Sequence, residues 1–231
     1  MTPAPLDFKR VLWRAHADGI HHGSINFWAG MLACLLDPVS SETRILEFGS
    51  TGSEFLRFFH LAYEYREAAG ILLSSDGPDH SAGWCLPEGP TCFFVPEEAA
   101  ASLASGWHLA FTQETFSLLP DLEAHARLID GLLAADGVYY ATFGWHLDNP
   151  ETERYAASRK AAGKPFFAHT LSGVVAAFEQ SGFEVGFKRL PVPYFFMHSP
   201  PVATRFGGVP TMIEALSDWK ILFQFRKWSR P

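Results

Sequence analysis

The sequence predicts an α/β protein, with a mostly parallel sheet, helices on both faces and an N-terminal helical cap. Two observations lead to this prediction. Strand-like apolar runs alternate with helix-like segments from Ile45 onward, whereas the residues before the first strand show helical spacing. The 231 residues are 48% hydrophobic and 19% charged, so they can form one sizeable core. We therefore expect a helical cap over residues 1–42 and one α/β domain over residues 43–231.

The first half of the α/β domain shows the alternation clearly. RILEFG reads as a short buried strand, a helix is predicted from Ser53 to Ala68, and AAGILLSS reads as a second strand. A loop rich in glycine and proline follows, and TCFFVP then predicts a third strand. This order of elements favours a parallel sheet.

The second half continues the pattern. EEAAASLAS predicts one or two helical turns, and WHLAFTQ predicts a fourth strand. A helix predicted from Pro120 to Ala135 carries Asp121 and Glu123 in its first turn, where carboxylates complement the helix dipole. The remaining elements are, in order, a strand VYYATFG, helices at 150–162 and 171–182, one long or broken strand FEVGFKRLPVPYFFMH, and a short helix and last strand in MIEALSDWKILFQFRK.

Charge and composition exclude several classes of function. The net charge of −7 argues against non-specific binding to nucleic acid or to anionic membranes, since both require a basic face. We find no apolar run near the roughly 20 residues that cross a bilayer and no secretory signal in MTPAPLDFKR. Cys34, Cys85 and Cys92 form neither a paired framework nor a CxxC motif. A reduced, cytoplasmic location is the expectation.

Three motifs narrow the prediction to one family. ILEFGSTGSEFL (residues 45–56) joins an apolar strand to a helix through a turn with two glycines, and it resembles the first motif of the class I S-adenosylmethionine-dependent methyltransferases. Residues 108–144 resemble that family's fourth strand, next helix and fifth strand, and residues 171–190 resemble its last helix and sixth strand. DWKILFQFRK would be the antiparallel seventh strand. The resemblance implies a Rossmann-like sheet of seven strands that binds S-adenosylmethionine.

The first motif would provide most of the cofactor contacts. By resemblance, Glu47 at the strand end would face the cationic amino acid portion of the cofactor, and the first glycine of the family's loop is present. The family's next two glycine positions fall on small hydroxyl residues, and a one-residue shift gives a Ser-Thr-Gly version of the loop. Glycine would let the backbone approach the ligand; the alternative is a turn that only joins strand to helix. The implied loop is Gly49, Ser50, Thr51, Gly52 and Ser53.

The second strand departs from the family pattern. The family ends this strand with an acid that accepts hydrogen bonds from both ribose hydroxyls, and here that position lies near Leu72, which has no acceptor. Ser74, Ser75 or Asp76 would replace the acid if the loop bends back; otherwise Asp76 is a turn residue. Either the ribose is held differently in this chain, or the cofactor is not bound.

Acidic and amide side chains follow the next two strands. Glu97 or Glu98 would accept a hydrogen bond from the adenine amino group, unless both are solvated carboxylates that begin a helix. Thr112, Gln113 and Glu114 end the fourth strand and would lie beside the methyl donor and the substrate. Ligands of open α/β sheets bind at this carboxyl edge.

Three residues are candidates for a general base, which methyl transfer needs only when the acceptor must lose a proton. They are His22 in the cap, Glu114 after the fourth strand and His146 after the fifth. Packing or surface roles are the alternative for the histidines. We assign no metal site, because adjacent residues such as His21 and His22 point apart.

The sequence therefore predicts a methyltransferase that transfers a methyl group from S-adenosylmethionine to an O, N or C atom of a small molecule. The alternative is a methyltransferase-like protein that has lost catalysis and acts as a binding or assembly subunit. The acceptor is not identified, and the oligomeric state, including a homodimer, stays open.

Overall fold

The computed structural model describes residues 22–49, 54–73, 90–192 and 208–227. Within these ranges the chain forms seven strands: β1 (Arg44–Phe48), β2 (Glu67–Leu72), β3 (Thr91–Pro96), β4 (Trp107–Gln113), β5 (Leu133–Phe143), β6 (Phe183–Arg189) and β7 (Ile221–Lys227). They build one sheet in the order β3-β2-β1-β4-β5-β7-β6. Strands β1 to β5 are parallel, and β7 is antiparallel to both of its neighbours. The predicted mostly parallel, seven-stranded sheet is confirmed.

Six helices accompany the strands in the described ranges. They are α1 (His22–Leu32), α2 (Glu54–Ala62), α3 (Leu122–Leu132), α4 (Thr152–Ala161), α5 (Leu171–Gln180) and α6 (Val209–Ile213). Two of them begin at side-chain caps, which satisfy backbone N–H groups that the helix itself leaves unbonded. Asp121 accepts from Ala124 N and Thr170 from Gly173 N, both at 2.9 Å.

The helices cover the sheet on both faces. Helices α3 and α5 bury Ile129, Phe178 and their neighbours against one face. Helices α1 and α2 bury Trp28, Phe59 and their neighbours against the other. Because β1 lies between the two layers, alternate side chains such as Ile45 and Leu46 enter opposite cores. This explains why β1 carries apolar residues at the neighbouring positions Ile45 and Leu46.

The described part of the N-terminal cap shares its core with the sheet and is anchored there by polar contacts. Asp37, in the segment after α1, accepts from Tyr140 Oη at 2.6 Å and from Arg226 Nη2 at 2.7 Å. Gln224 Nε2 donates to the same Tyr140 oxygen at 2.7 Å. Asp37 therefore ties the end of the cap to β5 and β7. The proposed boundary between cap and domain at residue 42 stays a prediction.

The predicted end of the helix before β2 is wrong, and the predicted strand that contains β6 is described only in part. The helix expected to reach Ala68 ends at Ala62, because the ladder between β1 and β2 begins with the pair Arg44 and Glu67 and requires extended backbone there. The strand predicted from residue 183, long or broken, runs over Phe183–Arg189 in the described residues; Leu190 N then donates to the Lys220 carbonyl oxygen at 2.8 Å. Residues 193–207 lie outside the described ranges.

The boundary between α3 and β5 also differs from the prediction. The expected helix to Ala135 ends at Leu132, and β5 begins at Leu133 rather than Val138. Leu133 pairs with Trp107, and the register shifts before the next pair, which indicates a bulge. A Cβ atom at Gly137 would lie 2.7 Å from the Trp107 carbonyl oxygen. This glycine therefore permits close backbone packing inside a bulged strand instead of ending a helix.

Candidate functional site

The turn after β1 packs directly against the end of β4. Gly49 has φ +76°, a conformation that side chains disfavour. Its N–H donates to the Ile71 carbonyl oxygen at 2.9 Å. A Cβ atom at this position would lie 2.5 Å from Thr115 Oγ1. Only glycine therefore fits between the first strand and the loop after the fourth.

A pair of threonines fixes this junction. Thr112 Oγ1 donates to the Phe48 carbonyl oxygen at 2.6 Å and lies 2.6 Å from Thr115 Oγ1. Both side chains are buried. Thr112 was predicted to contact the cofactor, and the structure shows its hydroxyl joining the ends of β1 and β4. Its contribution to a ligand site would be indirect, by fixing the turn at Gly49.

Glu47 lies in β1, two residues before Gly49, on the sheet face that α1 covers. It is in register with Gly70 on β2 and Phe111 on β4, and only 7% of it is exposed. A buried acid at the end of the first strand fits the predicted role of facing a cationic group, which stays a prediction.

Helix α1 contacts the predicted cofactor residue Gln113. Trp28 Nε1 donates a hydrogen bond to Gln113 Oε1. The Trp28 ring also packs against Phe55 and Phe58 of α2, which fixes its position. The cap thus reaches the carboxyl end of β4 through a specific polar contact, a contact that sequence reasoning missed.

Glu114 connects the ends of three strands. It has φ +56°, and it is the one non-glycine residue with positive φ among the described residues. Its Oε1 accepts from Lys220 Nζ and its Oε2 from Gly144 N, both at 2.8 Å. Both oxygens of this predicted base are therefore engaged, and its clearest role in the structure is to join β4, β5 and the residue before β7.

Lys220 was not predicted to belong to the site. Only 5% of the residue is exposed, and its Nζ lies 3.8 Å from the centre of the Phe27 ring of α1, a cation–π contact. The only sequence signal was a lysine directly before an apolar strand, at the junction WKIL. Lys220 places a buried positive charge at the carboxyl edge of the sheet.

His146, another predicted base, is fully buried. Its Nε2 lies 2.9 Å from the Trp219 carbonyl oxygen. Since a carbonyl oxygen only accepts, Nε2 carries the proton in this contact. Its backbone oxygen accepts from Thr152 Oγ1 at 2.6 Å. This geometry favours a role in fixing the loop after β5, and the role as base stays untested.

An aromatic pair lies beside Gly144. Trp145 stacks on Tyr155 of α4 with ring centroids 4.1 Å apart and planes 6° from parallel. Phe166 meets Tyr155 edge-on at 5.9 Å. The pair follows β5 directly, so it lies at the carboxyl edge that also carries Gly49 and Glu114.

Some of the remaining predicted site residues lie in the described ranges, and others lie outside them. Leu72 ends β2 in register with Pro96, and Glu97 begins a short 3₁₀ turn after β3. His22 is the first described residue of α1, but its side chain lies outside the description. The loop residues 50–53 and the segment 74–89, with Asp76, lie outside the described residues.

The described ranges contain neither a metal-binding cluster nor a membrane-spanning helix. No group of three or more His, Cys, Asp or Glu side chains in the described ranges could hold a metal ion. No helix in those ranges is long and apolar enough to span a membrane.

Comparison with known proteins identifies the fold. No family model and no curated protein matches the sequence. Among solved structures, a chain from the Haloferax volcanii complex of the Trm112 methyltransferase activator is similar with a TM-score of 0.71 and 14% identity, covering 95% of this chain and 96% of that one. An S-adenosylmethionine-dependent methyltransferase from Mesorhizobium loti gives 0.59 and 16%, covering 87% and 98%.

A third similar structure holds ligands. Geranyl diphosphate C-methyltransferase from Streptomyces coelicolor, in complex with Mg²⁺, geranyl-S-thiolodiphosphate and S-adenosylhomocysteine, gives a TM-score of 0.60 and 11% identity, covering 87% of this chain and 75% of that one. The predicted resemblance is confirmed at the level of the fold: the chain has the Rossmann-like fold of the class I methyltransferases.

Proposed function

We propose that the chain is an S-adenosylmethionine-dependent methyltransferase that acts on a small molecule. The observation that carries the proposal is the junction of Gly49 with Thr115. It brings the glycine turn after β1 against the end of β4 in a sheet with the methyltransferase strand order. Open α/β sheets bind ligands at such carboxyl ends.

The residues at this edge fit the amino acid portion of S-adenosylmethionine. Glu47 is a buried carboxylate suited to an ammonium group, and Gln113 carries amide donors suited to a carboxylate. The positive φ of Gly49 leaves the turn without a side chain where a ligand would approach. The bound cofactor supplies a methyl group carried on sulfonium. The protein would hold and align the reacting groups, which is the main requirement of such a transfer.

A small methyl acceptor is supported by the aromatic side chains at the carboxyl edge of the sheet. Phe27 and Trp28 of α1 contact Lys220 and Gln113 at the carboxyl edge, and the Trp145–Tyr155 stack follows β5. Aromatic side chains at the site suit a small, partly apolar molecule. Two of the similar structures, the geranyl diphosphate C-methyltransferase and a phosphoethanolamine N-methyltransferase from Haemonchus contortus, are named for small substrates.

A base would be needed only for an acceptor that must lose a proton. His22, Glu114 and His146 keep this role as proposals. The carboxylate of Glu114 lies at the edge but already accepts from Lys220 and Gly144.

The negative net charge and the three cysteines support a cytoplasmic location as part of the same proposal.

Calorimetric titration with S-adenosylhomocysteine tests the proposal. The wild-type chain should bind, and the Gly49→Trp variant should not, because the indole would fill the turn. A matched Gly163→Trp variant should bind like the wild type, since Gly163 also has positive φ but open space around it. A wild-type chain that shows neither heat nor a thermal shift at millimolar ligand would contradict the proposal.

A second function has two observations in its favour. Leu72 ends β2 without offering an acceptor to ribose hydroxyls, and one similar structure is a complex with a methyltransferase activator. Both fit a methyltransferase-like subunit that binds a partner without catalysis. Absence of cofactor binding in a correctly folded chain would favour this alternative.

A further inference from the structure

The hydrogen bond from Trp28 fixes which way the Gln113 amide faces. An indole N–H can only donate, so its partner must be the amide oxygen and not the amide nitrogen. The Nε2 group with its two N–H donors is then directed away from Trp28. Within the described residues this Nε2 makes no hydrogen bond, and Gln113 is only half-buried. Gln113 therefore presents donors, not an acceptor, at the carboxyl edge.

Thr142 provides a second, independent polar group beside Gln113. The two residues are in register on neighbouring strands β4 and β5. Thr142 is fully buried, and its Oγ1 has no hydrogen-bond partner within the described chain. Buried hydroxyls normally have a partner, and one without a partner in the protein is suited to a ligand or a water. The end of β5 thus adds a hydroxyl to the donors of Gln113.

Helix α1 is held in place over these groups by another contact. Phe27, next to Trp28, lies against Lys220 Nζ, which the salt bridge to Glu114 fixes in turn. The helix is thereby tethered at β4 and at the residue before β7. The strand β5, which carries Thr142, lies between β4 and β7 in the sheet. The position of the Trp28 indole is therefore set by the fold and not by Gln113 alone.

The charges around Gln113 indicate which ligand group it would meet. Glu47 and Gln113 share one face, since Phe111 is in register with Glu47 and lies two residues before Gln113 on β4. Glu47 carries a carboxylate and Gln113 carries two N–H donors, whereas the charge of Lys220 at the same edge is paired with Glu114. An α-amino acid group carries an ammonium and a carboxylate on the same carbon atom, which matches this pairing of an acid with donors.

We propose that Trp28 is a positioning residue of the cofactor site. It holds Gln113 so that the two Nε2 donors, with the Thr142 hydroxyl beside them, bind the carboxylate of the cofactor's amino acid portion, while Glu47 binds the ammonium group. This inference rests on the proposed function. It adds to that function a residue of the cap that acts through another side chain.

The test compares two ligands that differ in the amino acid group. S-adenosylhomocysteine carries it, and 5′-methylthioadenosine does not. In Trp28→Phe, which keeps an aromatic ring and loses the N–H donor, the Kd for S-adenosylhomocysteine should rise about 10-fold, the effect of losing one well-oriented hydrogen bond to a charged group. The Kd for 5′-methylthioadenosine should not change. A general loosening of the fold would weaken both ligands alike.

Two further variants keep the test independent of folding. Trp107→Phe removes another buried indole, whose Nε1 has no partner in the described chain, and should leave both Kd values unchanged. Gln113→Glu keeps an acceptor for Trp28 but replaces both donors with a negative charge, so binding of S-adenosylhomocysteine should weaken by about 10-fold or more. This variant tests the inference even if Trp28→Phe fails to fold.

The outcomes separate the two proposals. A wild-type chain that binds neither ligand overturns the proposed function and this inference together. If the wild type binds S-adenosylhomocysteine, and Trp28→Phe or Gln113→Glu binds it equally well, the inference alone is overturned. Equal weakening of both ligands in Gln113→Glu also overturns it, because the carboxylate would then not be the group recognised.

Discussion

Lys220 Nζ lies 2.8 Å from Glu114 Oε1, and this ion pair is the most buried one among the described residues. The side chain of Lys220 is 6% exposed and that of Glu114 25%. The pair holds Glu114 in its left-handed backbone conformation and places a charge under Phe27. Three strand ends and the cap therefore depend on one contact.

Replacement of Lys220 tests that dependence. Lys220→Met leaves the Glu114 carboxylate without its cation, and we expect the free energy of unfolding to fall by about 2 kcal/mol, less than for a fully buried pair because Glu114 is partly solvated. The control is Lys227→Met, whose partner Asp130 lies 3.3 Å away with half of its side chain exposed. It should cost less than about 1 kcal/mol. Urea unfolding measures both, and equal losses would contradict the account.

Gly49 provides a second prediction. In Gly49→Ala the Cβ atom would meet Thr115 Oγ1 at 2.5 Å, in addition to the strain of a positive φ. We expect a loss of about 2–3 kcal/mol in the free energy of unfolding. In Gly163→Ala the backbone has φ +66° but nothing lies within 4 Å of the new Cβ. This control should cost about 1 kcal/mol. A loss in Gly49→Ala no larger than in the control would show that the turn and Thr115 are not tightly packed.

His125 makes stability depend on pH. Burial lowers the pKa of His125 to about 3, from an ordinary value near 6.5. The unfolded chain then binds a proton that the folded chain excludes, so this contribution lowers stability as the pH falls from about 6.5 towards 3, by up to about 1.4 kcal/mol per pH unit. Above this window the residue adds no pH dependence.

The variant His125→Gln should remove that slope. The free energy of unfolding, measured by urea denaturation at several pH values, should fall less steeply with acid in the variant than in the wild type. His60→Gln is the matched control. Burial also lowers the pKa of His60, but Glu64 opposes the shift, so its effect on the slope should be smaller. Parallel curves for wild type and His125→Gln would contradict the prediction.

The strands could be predicted from sequence where the apolar run itself defines the element. TCFFVP and WHLAFTQ have the predicted bounds, Thr91–Pro96 and Trp107–Gln113. Both are flanked by polar or turn-forming residues that end the apolar run. Element ends set by pairing could not be predicted: Glu67 and Leu133 become extended because distant strands bind them.

The candidate site was predictable only at the level of strand ends. Glu47, Gly49 and Gln113 lie at the carboxyl edge because each follows or ends an apolar run. The contacts that shape the site join residues far apart in the chain, such as Trp28 with Gln113 and Glu114 with Lys220. No local pattern reports such pairs. The burial of His146 could not be predicted either, since a histidine in a loop after a strand is expected to be exposed.

A crystal structure with S-adenosylhomocysteine at saturating concentration tests the central claim most directly. The account predicts electron density for the ligand at the carboxyl ends of β1 and β4. The ligand should lie against Gly49, with its amino acid group between Glu47 and Gln113. Density elsewhere on the chain, or a structure with no ligand bound at these strand ends, would contradict it.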